Sequence, residues 1–167
     1  MSTIIVKKED LTTATATKKY PLGGVFIDYS STNAIKPVYV YVKAGSALTK
    51  YRPYQVSISN TIGGEVTTKV PATYAFGAEI GFPQGDVTNA YYAWLQVEGE
   101  ATVATTDTVA AGDYLEVLNA GTGLKLDGGA SGSTAESVQS LGIATTATSG
   151  GNATAILSGN KVKVAAS

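Results

Sequence analysis

The sequence predicts an all-β protein, a small antiparallel barrel or sandwich built from two pseudo-repeated β-units behind an extended N-terminal arm. Three observations predict it. Short runs of β-branched and aromatic residues recur along the chain between Gly-marked turns. No long stretch keeps a 3.6-residue apolar period with helix caps. The 167 residues are 44% hydrophobic and only 15% charged, which favours a folded core over disorder at a length that needs no disulfides.

Taken in chain order, Val38-Tyr39-Val40-Tyr41-Val42 has the composition of a strand packed on both faces, and Tyr54-Gln55-Val56-Ser57-Ile58 alternates apolar and polar. In Tyr91 to Val97, Ala93, Leu95 and Val97 share one face while Tyr92, Trp94 and Gln96 share the other. Further short strands are expected at Ala101 to Ala104, Tyr114 to Leu118, Leu141 to Ala144, Ala153 to Leu157 and Lys161 to Val164. Turn residues punctuate them, among them Gly63-Gly64, Pro83-Gln84-Gly85-Asp86, Ala111-Gly112-Asp113 and Gly150-Gly151-Asn152. Thr134 to Leu141 has room for a turn or two of helix, and Asn119 to Ser137, with its run of Gly and Ser, is expected to be a flexible loop.

An internal repeat organises these elements. Val40-Tyr41-Val42, Tyr54-Gln55-Val56, Ile80-Gly81 and Ala93-Trp94-Leu95 are echoed by Leu95-Gln96-Val97, Leu115-Glu116-Val117, Leu141-Gly142 and Ala155-Ile156-Leu157, about 55 to 62 positions later. Two equivalent units closing around one core are expected. The division is then a flexible arm, residues 1–20, and a barrel or sandwich domain, residues 21–167. The arm is Thr-rich and carries the apolar residues Ile4, Ile5, Val6 and Leu11, a pattern suited to adding a strand to a partner's sheet edge.

The composition excludes much chemistry. With no Cys and no His there is no thiolate nucleophile, no His-assisted Ser and no zinc or iron–sulfur site of the usual kind. A net charge of −1 is wrong for binding nucleic acid through its phosphates. The start, Met1 to Lys8, places an apolar triplet before its charges, the reverse of a secretory signal, and no run reaches the length of a membrane helix. A soluble product made in the cytoplasm, with no nucleic-acid or membrane partner and no cofactor, is expected. Glu98 and Glu100 would share a strand face, the minimum kit for glycoside hydrolysis, but an i, i+2 pair around Gly99 reads first as an exposed turn. Asp107 and Asp113 read as turn-capping acids. The ten Tyr residues suit either a core or an adhesive surface.

Residues 20–164 resemble the phage head decoration proteins, the small capsid cement family. The resemblance is carried by Tyr91-Tyr92-Ala93-Trp94-Leu95-Gln96-Val97-Glu98-Gly99-Glu100-Ala101-Thr102-Val103, by Val109-Ala110-Ala111-Gly112-Asp113-Tyr114-Leu115, by Leu141-Gly142-Ile143-Ala144 and by Val40 to Leu48. The Tyr-rich insertion from Arg52 to Phe82 and the long arm depart from the shorter members. The resemblance implies a β-tulip-like fold and a non-enzymatic homotrimer on the outer surface of an icosahedral phage capsid, cementing neighbouring major capsid protein subunits. Its arm, through Ile4, Ile5, Val6 and Leu11, would dock on the shell. The alternative expectation is a carbohydrate-binding or adhesin-like module using exposed Tyr residues and Trp94.

Overall fold

The computed structural model describes residues 6–59, 65–69, 79–105, 109–120, 123–129 and 139–163. They form one 3-10 turn, Lys8–Leu11, and ten strands: β1 (Val25–Ile27), β2 (Val38–Lys43), β3 (Tyr54–Ser59), β4 (Glu65–Lys69), β5 (Glu79–Pro83), β6 (Tyr92–Ala104), β7 (Tyr114–Ala120), β8 (Gly123–Gly129), β9 (Gln139–Ala144) and β10 (Asn152–Lys163). The strands join in the order β1-β2-β4-β3-β5-β6-β10-β9-β7-β8, and β2 also pairs with β6. Every ladder is antiparallel except the single pair Lys43↔Thr67 between β2 and β4. The sheet doubles back on itself in a sandwich-like arrangement and is not closed into a barrel.

The repeat is visible in the pairings. In the first unit β3 pairs β4 and β5, β5 pairs β6, and β2 pairs β6. In the second, β7 pairs β8 and β9, β9 pairs β10, and β6 pairs β10. Turn hydrogen bonds recur 61 positions apart. Tyr51 N–H donates to Pro83 O as Gly112 N–H does to Ala144 O, and Arg52 N–H to Thr49 O as Asp113 N–H to Ala110 O. Val87 N–H donates to Leu48 O as Thr148 N–H does to Val109 O. The left-handed backbone positions recur as well: Tyr51 (φ 68°) and Ala90 (φ 66°) occupy the places of Gly112 (φ 95°) and Gly151 (φ 77°). Gly81 and Gly142 are equivalent too, each where a side chain would strike the adjoining strand: Leu95 Cβ in the first unit, Ile156 O in the second.

The register differs from the sequence expectation at one place. The counterpart of Val40-Tyr41-Val42 is Ala101-Thr102-Val103, not Leu95-Gln96-Val97, because β6 serves both units in succession. Residues Tyr92 to Gln96 pair with β2, and Glu98 to Ala104 pair with β10. At the handover a bulge sets Val38 opposite Glu98 but Tyr39 opposite Gln96. Next comes Gly99, with φ 84° and Pro37 Cα 2.8 Å from where a Cβ would stand.

Two clusters, rather than one shared core, fill the units. Val40, Val42, Leu48, Tyr54, Leu95 and Val97 belong to the first. Ala101, Val103, Val109, Leu115, Ala155 and Leu157 belong to the second, joined by Ile80 and Phe82 of β5. Thus β5 and β6 of the first unit tie the clusters together. The segment expected to be a loop, 119–137, contains β8, which continues the hairpin pairing Leu118↔Lys125. Gln139 to Leu141, at the end of the expected helical stretch, are extended in β9, while 134–138 lie outside the described residues.

Two glycines separate steric from conformational demand. At Gly112 nothing lies within 4 Å of the place a Cβ would occupy, so Gly112→Ala meets backbone strain alone, about 1 kcal/mol. Gly99→Ala meets the same strain plus the Lys36–Pro37 backbone, and the expected loss is larger, about 3 kcal/mol. Denaturant unfolding of the two variants checks this; equal losses would mean that the handover is not closely packed.

Candidate functional site

The N-terminal segment lies against the outer face of β2 and β6. That face is aromatic because the odd positions of β2 and the even positions of β6 point away from the first core cluster. Tyr39, Tyr41 and Trp94 are buried there with Leu11, and Val6, Tyr20, Leu22, Phe26 and Tyr92 pack against them. Tyr20 and Tyr41 meet edge-on at 5.2 Å and 88°, Tyr41 and Trp94 are tilted at 5.0 Å and 51°, and Tyr41 and Tyr92 stack at 6.2 Å and 16°. Backbone bonds between Thr15 and Tyr92, 2.9 and 2.8 Å, extend the contact.

A polar hook fastens this strap. Asp10, buried in the 3-10 turn, accepts a 2.7 Å bond from Lys19 Nζ and a 2.6 Å bond from the Tyr20 hydroxyl, one at each oxygen. The bond from Lys19, reinforced by that from Tyr20, holds the Asp10 carboxyl below its ordinary 3.8, against the opposing effect of burial. Burial, with the bond to Asp10 second, pushes the Tyr20 phenol up to about 12. The bond to Asp10 raises Lys19.

The expected docking residues therefore divide. Leu11 is 5% exposed and Val6 half-buried, both in the aromatic cluster of their own chain; Ile4 and Ile5 lie outside the described residues. Trp94, expected as an exposed aromatic in the alternative reading, is 3% exposed. Of the tyrosines, Tyr39, Tyr41 and Tyr54 are buried and Tyr29 and Tyr114 exposed; Tyr74 lies outside the described residues. Asp113 does cap its turn, accepting a 2.7 Å bond from Ala110 N–H; Asp107 is outside the described residues. Glu98 is half-buried and Glu100 exposed on β6, and among the described residues no group of three acidic side chains stands together.

Exposed large apolar side chains among the described residues fall into two groups. Val25 (65% exposed), Ile27, Tyr29 and Ile35 lie on and just beyond edge strand β1. Tyr114 and Ile143 stand directly opposite each other on β7 and β9. Strands β2, β6 and β10 separate the two groups along the hydrogen-bonded path. The sequence signals these only weakly, since β1 is three residues long and follows Gly23-Gly24.

Between the groups runs a polar cleft of about 480 Å³. Lys8 and Thr12 of the strap and the loop Asp28 to Asn33 line one side, and Gln96, Glu100, Thr102 and Thr154 of β6 and β10 line the floor. The floor is the second unit's equivalent of the aromatic face: Thr102 stands where Tyr41 stands in the first, 61 positions earlier. One outer face is greasy and strapped; the other is polar and open.

The Asp10 hook has a definite pH dependence. Its carboxyl is held down in the folded state, so its contribution is complete above pH 3.8 and is lost as the pH falls through the lower folded-state value. Asp10→Asn is expected to unfold several degrees below the wild type at pH 7, with the difference closing below pH 3.8. Thermal melts across that range check it; a difference that persists unchanged well below that pH contradicts it.

The fold is similar to that of a solved structure, the head fiber gp8.5 N base in bacteriophage phi29, with a TM-score of 0.52 and 17% sequence identity over 76% of this chain and 98% of that one. No protein-family model and no curated protein sequence matches the chain. At this identity the likeness establishes a shared all-β fold.

Proposed function

We propose that the protein is a non-enzymatic structural component of a phage virion, which binds the outer surface of an icosahedral capsid and cements neighbouring major capsid protein subunits. The observation that carries this reading is the pair of separated apolar patches, one on the β1 edge and one on the Tyr114–Ile143 pair. A clamp has to grip two neighbours, and two modest patches on one rigid sheet do so by avidity without making the free protein sticky. The edge of β1 also offers unpaired backbone groups to an extended partner segment.

Several facts support the reading. A similar fold occurs in a phage head fiber base. The chain carries little charge, which lowers the desolvation cost of a broad interface. Ile4 and Ile5 precede the point at which Val6 enters the aromatic cluster, so the two are the anchors available to reach a neighbour. Leu11 is spent on the chain's own core. A homotrimer, with three such clamps around one lattice axis, completes the proposal.

Cosedimentation with undecorated capsids of the encoding phage tests it. Ile27→Asp with Tyr29→Ser, and separately Tyr114→Ser with Ile143→Ser, are each expected to weaken loading about a hundredfold while leaving the chain folded. Removing residues 1–5 is expected to weaken it further. Loading of all three variants at wild-type affinity overturns the reading.

A further inference from the structure

We infer that the cleft bounded by the N-terminal strap, the 28–33 loop and the outer face of β6 and β10 is a binding site for a neutral carbohydrate. This goes beyond the capsid reading and does not depend on it.

Two buried side chains carry the inference. Asp28 is only 7% exposed, yet just one of its oxygens is satisfied: Oδ1 accepts bonds from Ser30 N–H at 3.0 Å and Ser30 Oγ at 2.6 Å. Its Oδ2 receives no donor among the described residues. Gln96, 2% exposed on the cleft floor, donates from Nε2 to Glu98 O at 3.2 Å and Glu100 O at 2.8 Å. These bonds fix the amide and leave Oε1 without a donor among the described residues. The fully buried unmatched polar atoms among the described residues are Trp94 Nε1 and Ser158 Oγ, so these two unmatched oxygens are open to solvent: two acceptors, both locked in orientation by the backbone or a neighbouring Ser, face one cavity.

The rest of the lining narrows the ligand. It must donate hydrogen bonds to fixed acceptors, and hydroxyl groups do so. Ser31, Thr32, Asn33 and Thr102 add neutral groups that both donate and accept. Tyr39 also lines the cleft; burial first and the charge of Asp28 second raise its phenol, which stays protonated and able to donate. Asp28 and Glu100 against Lys8 leave the lining with excess negative charge, unsuited to phosphate. An extended peptide would need a free strand edge, whereas β6 and β10 are paired with each other from Asn152 to Ser158. The cleft volume, about 480 Å³, suits one or two sugar rings.

Nuclear magnetic resonance titration of the full chain with glucose, galactose, mannose and N-acetylglucosamine, each alone, tests the inference. At least one is expected to shift the amide signals of Ser30, Asn33, Gln96 and Thr102 saturably. Asp28→Asn retains an acceptor for Ser30 and is expected to weaken binding at least tenfold; Thr102→Val, which keeps the strand's β-branched shape, is expected to weaken it severalfold and serves if Asp28→Asn does not fold. Ile143→Ser, in an apolar patch, is expected to bind sugar as the wild type does. Absence of any saturable shift, or wild-type binding by both Asp28→Asn and Thr102→Val, overturns the site. So does calcium ion alone shifting the same signals with loss in Asp28→Asn, which would make the cleft a cation site.

Discussion

One strand belongs to two halves of this molecule, and most of the structure follows from that constraint. Tyr92–Ala104 gives its first residues to β2 and its later ones to β10. A strand alternates its faces every residue, so the changeover has to preserve inward and outward sides for both cores. The bulge at Val97, opposite Val38 and Tyr39, and the left-handed Gly99 accomplish the shift over a short span. Because Leu95 and Val97 lie in one cluster and Ala101 and Val103 in the other, disturbing that changeover disturbs both interiors together.

The two halves share a skeleton but differ in how their outer faces are finished. In the first, Tyr39, Tyr41 and Trp94 need cover, and the strap from Val6 to Leu22 supplies it, fastened by the Asp10 hook. In the second, the equivalent residues are polar and need no cover. The cleft exists because the strap stops where the polar face begins. The same division leaves the apolar edge of β1 and the Tyr114–Ile143 pair outside the strap's reach.

Much of the fold is legible in the sequence because hydrophobic alternation is a local signal. It places the Tyr54, Tyr92 and Leu141 strands and the inward face of Ala93, Leu95 and Val97 correctly. What it misses depends on partners distant in the chain. Glu98-Gly99-Glu100 looks like a turn until β10 is seen beside it, so one long strand reads as two. The β8 strand reads as a loop because Gly123, Gly128 and Gly129 flank its two leucines; pairing with β7 overrides their weak propensity. The repeat is legible, but its most obvious match falls on the wrong half of β6, since Val-x-Val patterns recur on both sides of Gly99. The surface is the least legible part. Nothing in Trp94 itself says that Tyr20 and Phe26 will cover it, and the acceptors of Asp28 and Gln96 converge only once the strap and the sheet meet.

A molecule assembled by passing a strand from one unit to the next has a route to growth that separate domains lack. Each further unit needs only to borrow the last strand of its predecessor, as the second unit here borrows β6, and it inherits a ready-made seam instead of evolving a new interface. β10, 12 residues long, outlasts its pairing with β6, which ends at Ser158, and continues against β9 through Val162 and Lys163. Tandem lengthening of such a chain would add reach in increments of one unit while keeping each join as stiff as the sheet itself.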